Sequence, residues 1–354
     1  MDSQLADDIK HAWDCMEQED FDDAQATVDR ARRWLEDARK RGEHDLDADD
    51  AELCALGALL ADLGGDAKTA LEGFRKAHAL VPDDPRYLLW GAEAALGGLD
   101  DAETAIALCD AALDVAEFDE DLVQAVLLKV EALIVLGDGE DNAGEARALL
   151  SELDGCAIED PASWARAGDL YLVLGDLAAA EGAYQSCVAL DDTWADAYHG
   201  LGSLYLERGD HAAAVHAWLR TRELDLEAPD EPHHLDPEEF ERVAEAALAE
   251  IPERPRALLA NVPILIDSVP DEALVREGID PRLLGLFSGV PLPDKSTAGG
   301  QAPHLDVIHL FQRNLERVCH TSEQLADEIR ITVLHETAHF FGLDDDELHE
   351  LGLG

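Results

Sequence analysis

Two adjacent stretches of this chain carry the same order of apolar, small and polar positions. Residues 161–194 read PASWARAGDLYLVLGDLAAAEGAYQSCVALDDTW, and residues 195–228 read ADAYHGLGSLYLERGDHAAAVHAWLRTRELDLEA. The offset is 34 residues throughout. Gly168 matches Gly202, Tyr171 matches Tyr205 and Gly175 matches Gly209; Ala180, Tyr184 and Leu190 match Ala214, Trp218 and Leu224. Each copy predicts two antiparallel helices. Gly168 and Ala180 are small enough for close approach, and Tyr171 and Tyr184 fill the space between helices. Gly175-Asp176 ends the first helix, because glycine tolerates the left-handed conformation beyond a helix C-terminus.

Weaker copies precede these. LGALLADLGGDAKTALEGFRKAHALVPDDP fits up to Asp84, and LLWGAEAALGGLDDAETAIALCDAALDV fits with an insertion near Gly98. VEALIVLGDGEDNAGEARALLSELD fits with an insertion after Gly137, and Trp13, Phe21, Ala24, Val28 and Ala31 suggest one more degenerate unit. The expected total is five to six repeats. This 34-residue helix-turn-helix unit resembles the tetratricopeptide repeat. The resemblance implies an all-α superhelix whose concave face binds a protein.

The period stops after Leu224, and the Pro-rich, charged stretch at 227–237 reads as a linker. Asp236-Pro237-Glu238-Glu239 then starts a helix with a capping Asp, a first-turn Pro and acids at the positive end. Its apolar stripe is Phe240, Val243, Ala247 and Leu248. Residues 262–266 (VPILI) predict a strand, 283–293 a glycine-punctuated turn region and 295–303 a flexible loop. Residues 305–311 predict a second strand, with Leu305, Val307, His309 and Phe311 on one face. A last helix begins near Thr321, whose spacing to Gln324 is that of a capping box, and runs through Leu325, Ile329, Val333 and Phe340 to Gly342. The expected layout is a repeat array over 1–228, a linker over 229–235 and a second, α+β domain over 236–354.

Composition narrows the partners. Aromatic residues make up only 5% of the chain while Ala and Leu are abundant, which suits helical repeats packed through small side chains. The net charge is −53, from 79 acidic and 26 basic side chains. Such a surface repels phosphates, so neither nucleic acid nor an anionic membrane is an expected partner. The charge serves solubility or adaptation to a salty cytoplasm, or it forms an acidic groove for a basic protein or peptide. The six cysteines form no CxxC pair, and most sit in apolar helical patterns, as in a chain from a reducing compartment. The N-terminus, MDSQLADDIK, is acidic and lacks an apolar signal region, and no apolar run reaches transmembrane length. A soluble, cytoplasmic protein is expected.

The chemistry is concentrated in LHETAHFFGLDDDEL, on the last helix. His335 and His339 are four apart, so both imidazoles project from one face and offer two nitrogen ligands to a Zn²⁺. Glu336 is not a ligand; it reaches the attacking water as general base. A catalytic zinc needs a third protein ligand and one open position. Gly342 turns the chain back and presents Asp344, Asp345 and Asp346, among which the HExxHxxGxxD spacing selects Asp345. His233 and His234 read as solvated linker residues. Cys319-His320 has no partner motif, and His349 is not required by the pattern.

Residues 236–354 resemble the small bacterial zincin-like metallopeptidases, or minimal zincins. The similarity rests on DPEEFERVAEAALAEIP, VPILI, LLGLFSGVPL, VIHLFQRNLE and TVLHETAHFFGLDDDELHELG. It implies a helix carrying HExxH packed on a small sheet, with an edge strand near 305–311 for an extended peptide. It also implies His335, His339 and Asp345 as zinc ligands and Glu336 as base. Larger metzincins place a methionine turn beneath the zinc; methionine occurs here only at positions 1 and 16, so none is expected. The expected function is zinc-dependent peptide-bond hydrolysis, with the repeats recruiting a partner or substrate. The alternative is a repeat scaffold with a non-catalytic zinc domain.

Overall fold

Each Gly–Asp pair of the repeats closes one helix and opens the next. Gly65, Gly175 and Gly209 have φ of +78°, +76° and +77°, where a Cβ is costly. The aspartates that follow, Asp66, Asp176 and Asp210, accept from the backbone N–H three residues on and cap the next helix. Asp20 and Asp101 cap in the same way. In the computed structural model, residues 3–44, 46–137, 140–293 and 306–343 are described. Their repeat helices pair as α1 (Ser3–Glu17) with α2 (Phe21–Lys40), α3 (Asp47–Leu63) with α4 (Ala67–Leu80), and α5 (Arg86–Glu93) with α6 (Ala102–Val115). Next come α7 (Asp119–Leu136) with α8 (Glu140–Glu152), α9 (Pro161–Val173) with α10 (Leu177–Leu190), and α11 (Ala195–Glu207) with α12 (His211–Glu227).

The chain divides into two units, Met1–Asp192 and Thr193–Gly354. In the first, small residues set the helix spacing. A Cβ on Gly168 would lie between 2.5 and 2.9 Å from the Tyr184 ring, so only glycine lets α9 accept that aromatic from α10. The insertion near Gly98 is taken up by a π-turn, Ala94–Gly98, that prolongs α5. There a Cβ on Gly98 would sit 2.3 Å from that of Ala67.

The second unit contains the α11–α12 pair, in which Gly202 receives the Trp218 ring as Gly168 receives Tyr184. It continues with α13 (Pro237–Glu250), α14 (Glu253–Arg256), β1 (Ile264–Asp267), α15 (Glu272–Arg276), β2 (Gly285–Ser288), β3 (Val307–Phe311), α16 (Gln312–Arg317) and α17 (Ser322–Phe340). The sheet order is β1-β3-β2. β3 runs parallel to β1, with Ile264 opposite Ile308, and antiparallel to β2, with Gly285 opposite Leu310. Ile308 and Leu310 face a core built with Phe240 and Ala244 of α13 and Leu325, Ile329 and Val333 of α17.

Three expectations change here. The turn region at 283–293 contains strand β2. Gly285 marks a close approach to α17, because a Cβ there would come 2.7 Å from Thr332 Cγ2. The strand near 305–311 is central rather than an edge; β1 and β2 carry the edges. The linker histidines make hydrogen bonds, with His233 half-buried and His234 still exposed as expected. Glu316 is buried, 1% exposed. Its carboxylate accepts from the Leu235 N–H (3.2 Å) and from Gln312 Nε2 (2.7 Å), and lies 2.9 Å from His234 Nδ1. His233 Nε2 is 2.7 Å from the Glu316 carbonyl oxygen. A buried carboxylate is costly without such partners, and Gln312 of α16 together with the segment before α13 supplies them.

Candidate metal centre

Helix α17 starts at Thr321, whose hydroxyl oxygen accepts from the Gln324 N–H at 3.1 Å. Gln324 Oε1 accepts in return from the His320 N–H (2.8 Å), one residue earlier than in a standard capping box. The helix ends at Gly342, which has φ +88°. The Gly342 N–H donates to the His339 carbonyl and the Leu343 N–H to the Ala338 carbonyl. Gly342 is small for a second reason: a Cβ would meet Pro293 Cγ at 2.9 Å.

Between these caps the HExxH residues share one helix face. His335 Nε2 and His339 Nε2 lie 3.0 Å apart, with the rings nearly perpendicular at 80°. Two ligands of one tetrahedral zinc, each bonded at about 2.0–2.1 Å, would stand about 3.3 Å apart. His339 Nδ1 is 2.9 Å from the Leu343 carbonyl. A carbonyl only accepts, so Nδ1 carries the proton and the Nε2 lone pair is the one aimed at the shared point. The donor set therefore fits zinc.

Glu336 is buried, 6% exposed, and its Oε2 accepts from the Phe287 N–H at 2.6 Å. That N–H therefore points away from β3. Because backbone groups alternate along an antiparallel strand, Gly285 faces the same edge of β2. The Phe287 ring packs edge-on against Phe340, with centroids 5.9 Å apart, and holds β2 against α17. Gly285 makes room for the carboxylate, since a Cβ there would lie 3.0 Å from Glu336 Oε1. Asn314, 1% exposed, donates to the carbonyls of Pro281 (2.8 Å) and Leu283 (2.7 Å), fixing the segment that enters β2.

His335, Glu336 and His339 thus come together as the sequence spacing implies. Asp345, with Asp344, Asp346 and His349, lies outside the described residues. Sequence reasoning missed Gly285, Phe287 and Asn314. Only the glycine gave a signal, and it reads equally well as a turn. Cys319 is buried, and none of the six cysteines is joined in a disulfide. Among the described residues no helix is long and apolar enough to cross a membrane.

Comparisons with known proteins find one relationship for the repeats and another for the C-terminal part. Its repeats share a fold with PilW, titled a widely conserved type IV pilus biogenesis factor. Identity is 16% over 63% of this chain and 94% of that one, with a TM-score of 0.51. MamA 41-end from Desulfovibrio magneticus RS-1 is 20% identical over 51% of this chain and 98% of its own (TM-score 0.42). TTC0263, a thermophilic TPR protein of Thermus thermophilus, is 20% identical over 49% and 91% (TM-score 0.40). No curated protein matches the chain. Residues 259–354, which carry β1 to β3, the Glu336 clasp and the HExxH helix, match the family described as zincin-like metallopeptidase.

Proposed function

We propose that this protein is a zinc-dependent metallopeptidase whose repeats recruit a protein partner or substrate. The observation that carries this reading is the clasp of Glu336 by the Phe287 N–H, beside the converging His335 and His339 Nε2 atoms. A purely structural zinc site has no use for a buried carboxylate held at that point.

His335 and His339 would hold the ion, with Asp345 as third ligand on the HExxHxxGxxD spacing. Bound zinc supplies Lewis acidity toward a carbonyl and lowers the pKa of water to ~7. Glu336 accepts the proton of the attacking water and returns it to the leaving amine. An extended peptide would add to an outer edge of the sheet, which β1 and β2 carry among the described residues. The repeats add a groove of about 700 Å³ between α7 and α9, in which Glu120, Glu159 and Asp160 stand beside the apolar Val123, Leu127 and Ile158, and which Arg166 also lines. Arg166 is already engaged by Glu131, so this groove suits a basic segment. Thiols that form no disulfide fit a cytoplasmic setting.

Elemental analysis and a peptide-library digest test this reading together. Bound zinc at the HExxH site, and cleavage that a chelator abolishes and zinc restores, support the enzyme. Bound zinc with no cleavage of any peptide supports the non-catalytic scaffold.

A further inference from the structure

The first helical hairpin, in the other unit from HExxH, brings together three donor atoms of three chemical types. His11 and Cys15 are four apart on α1 and share a face. Asp23, in the first turn of α2, reaches them across a short connection in which Glu19 takes a positive φ of 59°. His11 Nε2 lies 3.0 Å from Asp23 Oδ2. Cys15 Sγ lies 3.5 Å from the same oxygen and 3.7 Å from His11 Nε2.

These distances can be set against a metal. A tetrahedral zinc bonds N and O at about 2.0 Å and S at about 2.3 Å, so its ligand edges are about 3.3 Å for N···O and about 3.5 Å for S···N or S···O. Each observed edge is within roughly 0.3 Å of that figure. The triangle already has the size of a coordination face.

Electrostatics favours a cation at the same point. Besides Asp23 itself, Asp14 and Asp20 lie close enough to act electrostatically on Cys15, so the point between the three donor atoms attracts positive charge. Asp20 is engaged elsewhere, accepting from the Asp23 N–H at 3.2 Å as the cap of α2. We propose that His11, Cys15 and Asp23 form a second metal site, for a zinc-class divalent ion, with the fourth position left to water or an external donor. Thiolate and imidazole select zinc and its neighbours over magnesium or calcium. The ion would tie the end of α1 to the start of α2.

Cobalt(II) titration of the metal-free full-length chain tests the site, because only a thiolate ligand gives an intense sulfur-to-cobalt charge-transfer band in the near ultraviolet. The band is expected in the wild type and in His335→Ala, saturating at one equivalent in the latter, and absent in Cys15→Ser. Asp23→Asn, a change at a half-exposed side chain, is expected to weaken cobalt binding by about tenfold or more, since even the partners of metal ligands are worth that much. If Cys15→Ser loses its helical circular-dichroism signal, Asp23→Asn decides. No band in His335→Ala at saturating cobalt overturns the proposal. So does a band that survives Cys15→Ser, or undiminished affinity in Asp23→Asn. None of these readouts depends on peptidase activity.

Discussion

Glu336 owes its position to two residues that have no chemistry of their own. The Phe287 N–H holds one carboxylate oxygen, and the missing Cβ of Gly285 leaves room for the other. A misplacement of about 1 Å at a reacting group costs on the order of a hundredfold in rate. Gly285→Ala is therefore expected to lower kcat by about that factor while zinc content stays at the wild-type value. Unchanged turnover in this variant would show that the clasp does not position the base. The two histidines and the glutamate were legible in the sequence because a helix fixes which side chains share a face. The clasp was not legible, because it joins residues 49 apart through a backbone N–H, and a backbone donor leaves no mark on residue type.

Periodicity made most elements legible, and the exceptions share a cause. The Gly–Asp punctuation located the repeat turns, and the insertion near Gly98 became the π-turn at Ala94–Gly98. Strand β2 has four residues and begins with a glycine, too short for alternation to show. The linker lies between α12 and α13, but the contacts of its histidines were not legible, because Pro and charge indicate a turn-rich segment equally well when its side chains are bound. Charged pairs also tie α11–α12 to the rest of the second unit. Arg282 grips Asp225 in bidentate fashion (3.0 and 3.1 Å) and reaches Asp196 (2.6 Å), while Arg317 also contacts Asp225 (2.8 Å). The Asp225 side chain is 4% exposed and that of Asp196 66%. Removing the buried partner takes this contact from Arg317 and leaves Arg282 with the exposed Asp196 alone, which typically costs about 3–5 kcal/mol; removing the exposed one costs about 1 kcal/mol or less. Denaturant unfolding of Asp225→Ala and Asp196→Ala should reproduce that contrast. Equal losses would mean that the clamp is not electrostatic.

At the scale of the whole chain, the charge of −53 decides which partners approach. The proposed basic peptide would be held at Glu120, Glu159 and Asp160 between α7 and α9 by long-range attraction, which salt screens over about 10 Å at moderate ionic strength. Affinity for a lysine-rich peptide should fall steeply from low to high salt, and Glu159→Gln with Asp160→Asn should flatten that dependence. Salt-independent binding would indicate an apolar contact instead. The repeat fold was fully legible at this scale because a 34-residue period is written redundantly, while a partner's identity is written nowhere in the repeat spacing.

Glu336 is proposed as the general base beside a zinc held by His335 and His339. The most direct test compares wild type with Glu336→Gln, measuring bound zinc and cleavage of the same peptide. Gln keeps the size of the side chain and removes its basicity. The expected result is an unchanged zinc content with cleavage reduced by about 10²–10⁴-fold, the usual contribution of a positioned base. Cleavage at the wild-type rate by zinc-loaded Glu336→Gln would contradict it.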